Sequence, residues 1–207
     1  MNVLVINGSP HKEGCTHTAL TEVAGVLNAE GISTTELHIG KQAIHPCTAC
    51  GVCAETGYCV FNEDRVNEAV DLGEKADGIL IGSPVYYAAP NGSLCAFLDR
   101  MFFRKAHKYA FKPSAAVVSC RRGGASAAFD RLNKYFTISN MPVVSSQYWN
   151  SVHGMTPEEV KKDLEGMQVM RALGRNMAWL LKCIDTAKST VSYPKQEAKI
   201  FTSFIRD

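Results

Sequence analysis

No apolar run in this chain approaches the ~20 residues that cross a bilayer, which excludes a helical membrane protein. An excess of one charge sign is also missing. Its 22 basic and 20 acidic residues are mixed along the chain for a net charge of +2, which leaves no broad electrostatic footprint for nucleic acid or an anionic membrane. Met1 to Ile6 carries no basic segment and runs directly into Gly8 and Pro10, unlike a secretory signal, so a cytoplasmic location is expected. Internal repeats and low-complexity linkers are absent too. The 207 residues, 46% hydrophobic and 20% charged, suit one globular domain with one core. We place that domain at 1–190, with a cysteine-rich insertion at 45–60 and a semi-apolar C-terminal tail at 191–207 free to dock on the body or on a partner chain.

What is present is an alternation of two periods. Val3 to Ile6 is a continuous β-branched run ended by Asn7-Gly8-Ser9-Pro10, the pattern of a fully buried strand and a turn. Thr16 to Glu30 follows with apolar residues at helical spacing and stops at Gly31. Strands are then predicted at Ile32–Ile39, Gly78–Ile81, Ala115–Val118 and Met141–Ser145, and helices at Glu63–Lys75, Ser93–Lys105 and Ala125–Tyr135. A last long helix opens at Thr156-Pro157-Glu158-Glu159 with an N-cap, a proline at its first position and a glutamate three residues after the cap. Its core stripe runs from Val160 and Leu164 through Met167, Leu173 and Met177 to Leu181 and Ile184, and its methionines serve packing. Strand and helix in alternation predict an α/β, flavodoxin-like, doubly wound sheet of five parallel strands in the order 2-1-3-4-5.

In such a sheet, ligands bind outside the carboxyl ends of the strands, so the loops there carry the functional signal. The first, Gly8 to Thr18, places glycines and hydroxyls ahead of a helix N-terminus, where free N–H groups and the helix dipole favour an anion such as phosphate. It is neither G-x-G-x-x-G nor a Walker loop. The third, Gly82 to Gly92, holds Tyr86 and Tyr87 between two prolines, a flat surface for a planar ligand. The fourth, Ser119-Cys120-Arg121-Arg122-Gly123-Gly124, adds cations and backbone donors. Together the three loops describe a flavin mononucleotide site. Trp149 and His153, after the fifth strand, are candidates for its neighbourhood, with a packed Trp and a surface His as the plainer expectation. His17, His45 and His107 have no partner in the sequence pattern.

Asn-Gly-Ser-Pro at 7–10, Gly-Ser-Pro-Val-Tyr-Tyr at 82–87, Phe-Leu-Asp-Arg at 97–100 and Ser-Gln-Tyr-Trp-Asn at 146–150 resemble the NADPH-dependent FMN reductase family over residues 1–185. The resemblance implies FMN phosphate held by Ser9, His11, Gly14, Cys15 and Thr16. It also implies an isoalloxazine bordered by Pro84, Val85, Tyr86, Tyr87, Asn91, Gly92 and the loop Ser119, Arg121, Arg122, Gly123 and Gly124. The family often has Arg where His11 stands and Asn where Cys15 stands, which leaves the backbone donors to carry the phosphate. Family members commonly complete the flavin site at a dimer interface, so a homodimer or higher homo-oligomer is expected.

Eight cysteines are many for a chain without an export signal, and in a reducing compartment a cysteine cluster points to metal or redox chemistry. Cys15, Cys95, Cys120 and Cys183 are dispersed, most of them read as small buried hydrophobes. Cys47, Cys50, Cys53 and Cys59 form C-x2-C-x2-C-x5-C. Ligation by four cysteines is the rule for [4Fe–4S] centres, whereas structural zinc usually splits its ligands into two distant pairs. A zinc site and a set of metal-free thiols stay open beside the cluster. The pattern resembles the iron–sulfur flavoprotein branch of the same family. Following strand two, the segment lies at the same sheet edge as the flavin loops.

These features point to an FMN-dependent oxidoreductase working between NAD(P)H or a ferredoxin-like donor and a small-molecule or protein acceptor, through a [4Fe–4S] cluster on the four cysteines. No acid or base is assigned, because the cofactor carries the chemistry. The alternatives are a cluster-free NAD(P)H-dependent flavin, quinone or nitro-compound reductase, and, from a different class, a non-catalytic flavodoxin-like binding module.

Overall fold

The computed structural model describes residues 1–202 and Phe204. Five parallel strands form the main sheet: β1 (Asn2–Asn7), β2 (Ser33–His38), β3 (Gly78–Tyr86), β5 (Ser114–Cys120) and β6 (Ser151–His153). They lie in the order β2-β1-β3-β5-β6, and the two-residue β4 (Ala89–Pro90) folds back antiparallel on β3. This is the expected doubly wound, flavodoxin-like α/β architecture with one short strand added.

Both faces of the sheet are covered, which is why its central strands read as unbroken apolar runs rather than alternating ones. Leu4, Ile6, Ile79, Ile81, Ala116 and Val118 point to one side, into a core shared with α3 (Val66–Lys75), α4 (Gly92–Tyr109) and α5 (Ala125–Ile138). Val3, Val5, Leu80, Ala115 and Val117 point to the other, against α1 (Cys15–Ala29), α6 (Pro157–Lys162) and α7 (Leu164–Ala187). Fully buried side chains such as Phe97, Leu4 and Ile79 each contribute about 1.5–3 kcal/mol by leaving water. The short helix α2 (Cys53–Thr56) lies within the cysteine segment.

Helix punctuation follows local chemistry. Gly31, at φ +79°, takes the left-handed position after α1. The Thr156 hydroxyl accepts from the Glu159 N–H at 3.2 Å, and the Glu159 carboxylate reaches back to the Met155 N–H.

Helix α3 starts at Val66 rather than Glu63, α4 and α5 run on to Tyr109 and Ile138, and three further departures from the sequence expectation change how elements pack. The segment expected as the fifth strand, Met141–Ser145, makes a single bridge, Val143 to Ser114. Pro142 has no N–H for a ladder, and the fifth parallel strand is formed by Ser151–His153. The last helix breaks at Asp163, whose carboxylate accepts from Gly166 N–H at 2.9 Å and from His153 N–H at 2.7 Å. It thereby caps α7 and ties it to β6. Leu164, expected in the core stripe, is exposed at that break. The third strand runs past Ile81 to Tyr86, because Ser83 and Pro84 still pair with Val118 and Ser119 of β5. In the expected tail, Tyr193 stacks on Phe111 while Ile200 and Phe201 are exposed. Ser203 and residues 205–207 lie outside the described residues.

Candidate functional site

At the carboxyl edge a cavity of about 860 Å³ opens between the loops that follow β1, β2, β3, β5 and β6. That is the size of a small-molecule or cofactor pocket. Of the expected residues, Ser9, His11, Gly14, Cys15, Thr16, Pro84, Val85, Tyr86, Ser119 and Arg121 line it, together with Cys120. Tyr87, Asn91, Gly92, Arg122, Gly123 and Gly124 are not among its lining residues.

The reasons lie in the local backbone. Tyr87 and Ala88, at φ +50° and +59°, are the two-residue turn of the β3–β4 hairpin. Both adopt the left-handed conformation that a type I′ turn demands, at a cost of about 1–2 kcal/mol per non-glycine residue. The turn leaves Tyr87 fully exposed. Gly124 backs the hairpin: a Cβ there would lie 2.8 Å from Ala88 Cα. Asn91 caps α4 by accepting from Ser93 N–H, and its amide donates to Gly8 carbonyl at 2.7 Å. It binds two loops together and does not line the cavity.

The first loop ends at the N-terminus of α1, where free backbone N–H groups and the helix dipole favour an anion. No side chain caps α1, so its first-turn N–H groups are open to a ligand. Beside them Ser9 and Thr16 are buried, the Thr16 hydroxyl sharing a hydrogen bond with Ser119 at 2.8 Å. Asn7 shapes this loop from below. Fully buried, it donates to Lys12 carbonyl and Glu36 carboxylate and accepts from Ser9 N–H. His38 Nε2 donates to Ser9 carbonyl at 2.7 Å. Burial pushes the Cys15 thiol up, with Glu159 and Glu158 adding to it against a backbone N–H. Burial likewise raises Cys120. Both thiols are thereby held neutral, without a negative charge to repel an anion.

A second, separate cavity of about 30 Å³ is lined by Cys47, Cys50, Cys53 and Cys59, with Val60, Phe61, Arg100 and Phe103 around them. Cys47 and Cys50 are exposed on irregular chain, and Cys53 and Cys59 are half-buried. Among the described residues, no group of three or more His, Cys, Asp or Glu side chains is arranged to hold a metal ion. The floor of this loop is Arg100, 6% exposed, in a buried ion pair with Asp64. Its Nε donates to Cys59 Sγ at 3.0 Å. Burial works against its charge, but the bonds to Asp64 and Cys59 outweigh that and raise its pKa.

Sequence reasoning passed over the roles of Asn7, His38, Asp64 and Arg100. Asn7 and Arg100 stand inside motifs quoted for their resemblance, and a buried polar residue in such a motif is the signal that could have found them. Trp149 is exposed, its ring lying against Tyr148 and not in the core, while His153 is on the surface, beside Asp163. His45 stacks on Phe61 and His17 bonds Glu36. Of the dispersed cysteines only Cys120 is buried.

The profile of the NADPH-dependent FMN reductase family matches residues 1–156. The chain belongs to the NADPH-dependent FMN reductase family. It is 31% identical over 194 residues to an iron–sulfur flavoprotein of Methanocaldococcus jannaschii, covering 89% of this chain and 99% of that one. It is 26% identical over 188 residues to an iron–sulfur flavoprotein of Methanosarcina thermophila, covering 89% and 97%. Among solved structures, a flavodoxin from the domain Archaea superposes with a TM-score of 0.61 at 14% identity, over 88% of this chain and 99% of that chain. The protein is therefore an FMN-dependent oxidoreductase of flavodoxin-like fold. No helix among the described residues is long and apolar enough to cross a membrane.

Replacing Asn7 by Ala leaves Ser9 N–H and Lys12 carbonyl without their side-chain partner. The expected loss is about 2–3 kcal/mol of unfolding free energy, read from the urea midpoint. A midpoint equal to that of the wild type would mean that the loop does not depend on Asn7.

Proposed function

We propose that this enzyme couples NAD(P)H or a ferredoxin-like protein to a small-molecule or protein acceptor through FMN and a [4Fe–4S] cluster on Cys47, Cys50, Cys53 and Cys59. The observation that carries the cluster is that all four thiols of one short segment line one cavity. Four thiolates are the donor set such a cluster takes. Each thiolate of a cluster binds a different iron, so the sulfurs need not converge on one point as they would around zinc. The naming of the relatives as iron–sulfur flavoproteins supports the same reading. A cytoplasmic homodimer, in which a second copy completes the flavin site, is part of the proposal.

The 860 Å³ cavity fits FMN. Its phosphate would be held by the first-turn N–H groups of α1 and the hydroxyls of Ser9 and Thr16, and its ring would be bordered by Val85 and Tyr86. When bound, FMN supplies the chemistry, taking electrons in pairs and releasing them singly, while the cluster carries single electrons. The neutral thiols of Cys15 and Cys120 border the site without adding charge.

Two measurements test this. Thr16→Val removes a hydroxyl and strands Ser119, so FMN affinity is expected to fall about tenfold, or ~1.4 kcal/mol, read by flavin fluorescence quenching. Unchanged affinity would place the phosphate elsewhere. Anaerobically purified protein is expected to show flavin bands over a broad iron–sulfur shoulder, with about four iron and four sulfide per chain. Cys50→Ala is expected to lose the shoulder and keep the flavin. Flavin without iron would leave the cluster-free reductase, and zinc alone would make the loop a structural zinc site.

A further inference from the structure

Arg100 has no apparent need to be charged if it only fills space between α4 and the cysteine loop. Its five N–H donors are nevertheless all engaged. Nε donates to Cys59 Sγ at 3.0 Å, one terminal nitrogen to His45 carbonyl and to Asp64, and the other to Phe61 carbonyl at 2.9 Å and to Asp64 at 3.2 Å. The Asp64 carboxylate takes two of them, and its side chain is as buried as that of Arg100. Phe61 lies over the same guanidinium, its ring centroid 5.4 Å from the central carbon. The fork is therefore fixed from both ends, and the one donor not spent on oxygen is aimed at sulfur.

We propose that Arg100 is the positioning residue of the cysteine loop, holding the sulfur of Cys59 in place through its Nε–H and drawing electron density from it, so that the cluster is easier to reduce. This rests on the reading of the loop as a cluster site. Hydrogen bonds to ligating sulfur are one of the few means by which a protein sets a cluster's potential. Lysine cannot substitute, since three donors on a flexible stem cannot serve two carbonyls, a carboxylate and a sulfur at once.

The test uses the full-length protein with FMN bound and the cluster reconstituted anaerobically, as wild type, Arg100→Lys and Arg100→Gln. FMN affinity is expected to be unchanged, because Arg100 does not line the flavin cavity. The midpoint potential of the cluster, from a redox titration followed by electron paramagnetic resonance, is expected to shift negative in Arg100→Gln. Arg100→Lys, which keeps the charge and loses the fork, is expected to fall between. Loss of iron in Arg100→Gln with FMN retained also supports positioning. A loaded Arg100→Gln whose potential and resonance spectrum match the wild type overturns the proposal. Wild-type protein that takes up no iron overturns the cluster reading itself. Should Arg100→Gln fail to fold, wild-type protein labelled with 15N-arginine decides the matter. A weak nitrogen coupling to the reduced cluster is expected in pulsed resonance, and its absence overturns the proposal.

Discussion

The end of β1 and the middle of β3 touch through two glycines, and the cavity edge of the molecule depends on that contact. Gly8 N–H donates to Gly82 carbonyl at 2.8 Å. A Cβ on Gly8 would fall 2.8 Å from that oxygen and 2.4 Å from Leu94, and one on Gly82 would fall 2.7 Å from Leu20 and 2.8 Å from Thr16. Two strands and two helices thus meet with no room for a side chain. The strand order reverses at this same point, between β1 and β3, which is where an open α/β sheet offers its crevice. The uncapped start of α1 and the Tyr86 hairpin face one cavity because the seam beneath them is this tight.

Beside the seam, buried and half-buried polar groups form a bonded run. Asn7 and His38 hold the first loop, Arg65 donates to His38 carbonyl at 3.1 Å, and the adjacent Asp64 pairs with Arg100. Burying a charge pair costs several kcal/mol of hydration per ion, and its net contribution to stability is often near zero. Stability alone therefore does not explain Arg100–Asp64. The donor left over for Cys59 gives the pair a purpose that an apolar replacement of equal volume would lack.

The layers of the fold were legible because the central strands are apolar on both faces and the helices are plainly punctuated, by a stop at Gly31 and a start at Thr156. The first loop was legible because glycine and hydroxyl residues before a helix have few other uses. Less legible was anything set by partners distant in sequence. Met141–Ser145 has strand composition, yet the edge position goes to Ser151–His153, whose pairing with β5 no local pattern announces. Asp163 reads as one polar residue in a helical stretch, and its role as a cap becomes visible only once His153 lies beside it. Tyr87 belongs by composition with Tyr86, but a two-residue hairpin turn separates their directions. Arg100, a cation within the helix expected at Ser93–Lys105, has partners no local pattern announces, since Asp64 and Cys59 lie far from it in sequence.

Helix α4 connects the two sites mechanically. At its start Asn91 holds Gly8, one turn on Leu94 lies under the glycine seam, and Arg100 grips the cysteine loop. Nine residues separate Asn91 from Arg100, which at ~1.5 Å of rise per residue is about 14 Å along the helix axis. The cysteine loop itself leaves the sheet from β2, the edge strand, where extra chain disturbs no neighbour. An excursion of that kind is free to vary in length and path. Its inner end is not, because Cys59 is tied to a core helix that also supports the edge of the large cavity. The offset between cavity and cysteine loop is therefore a property of α4, and the irregular chain between β2 and Cys53 carries Cys47 and Cys50 to the small cavity that Cys59 also lines.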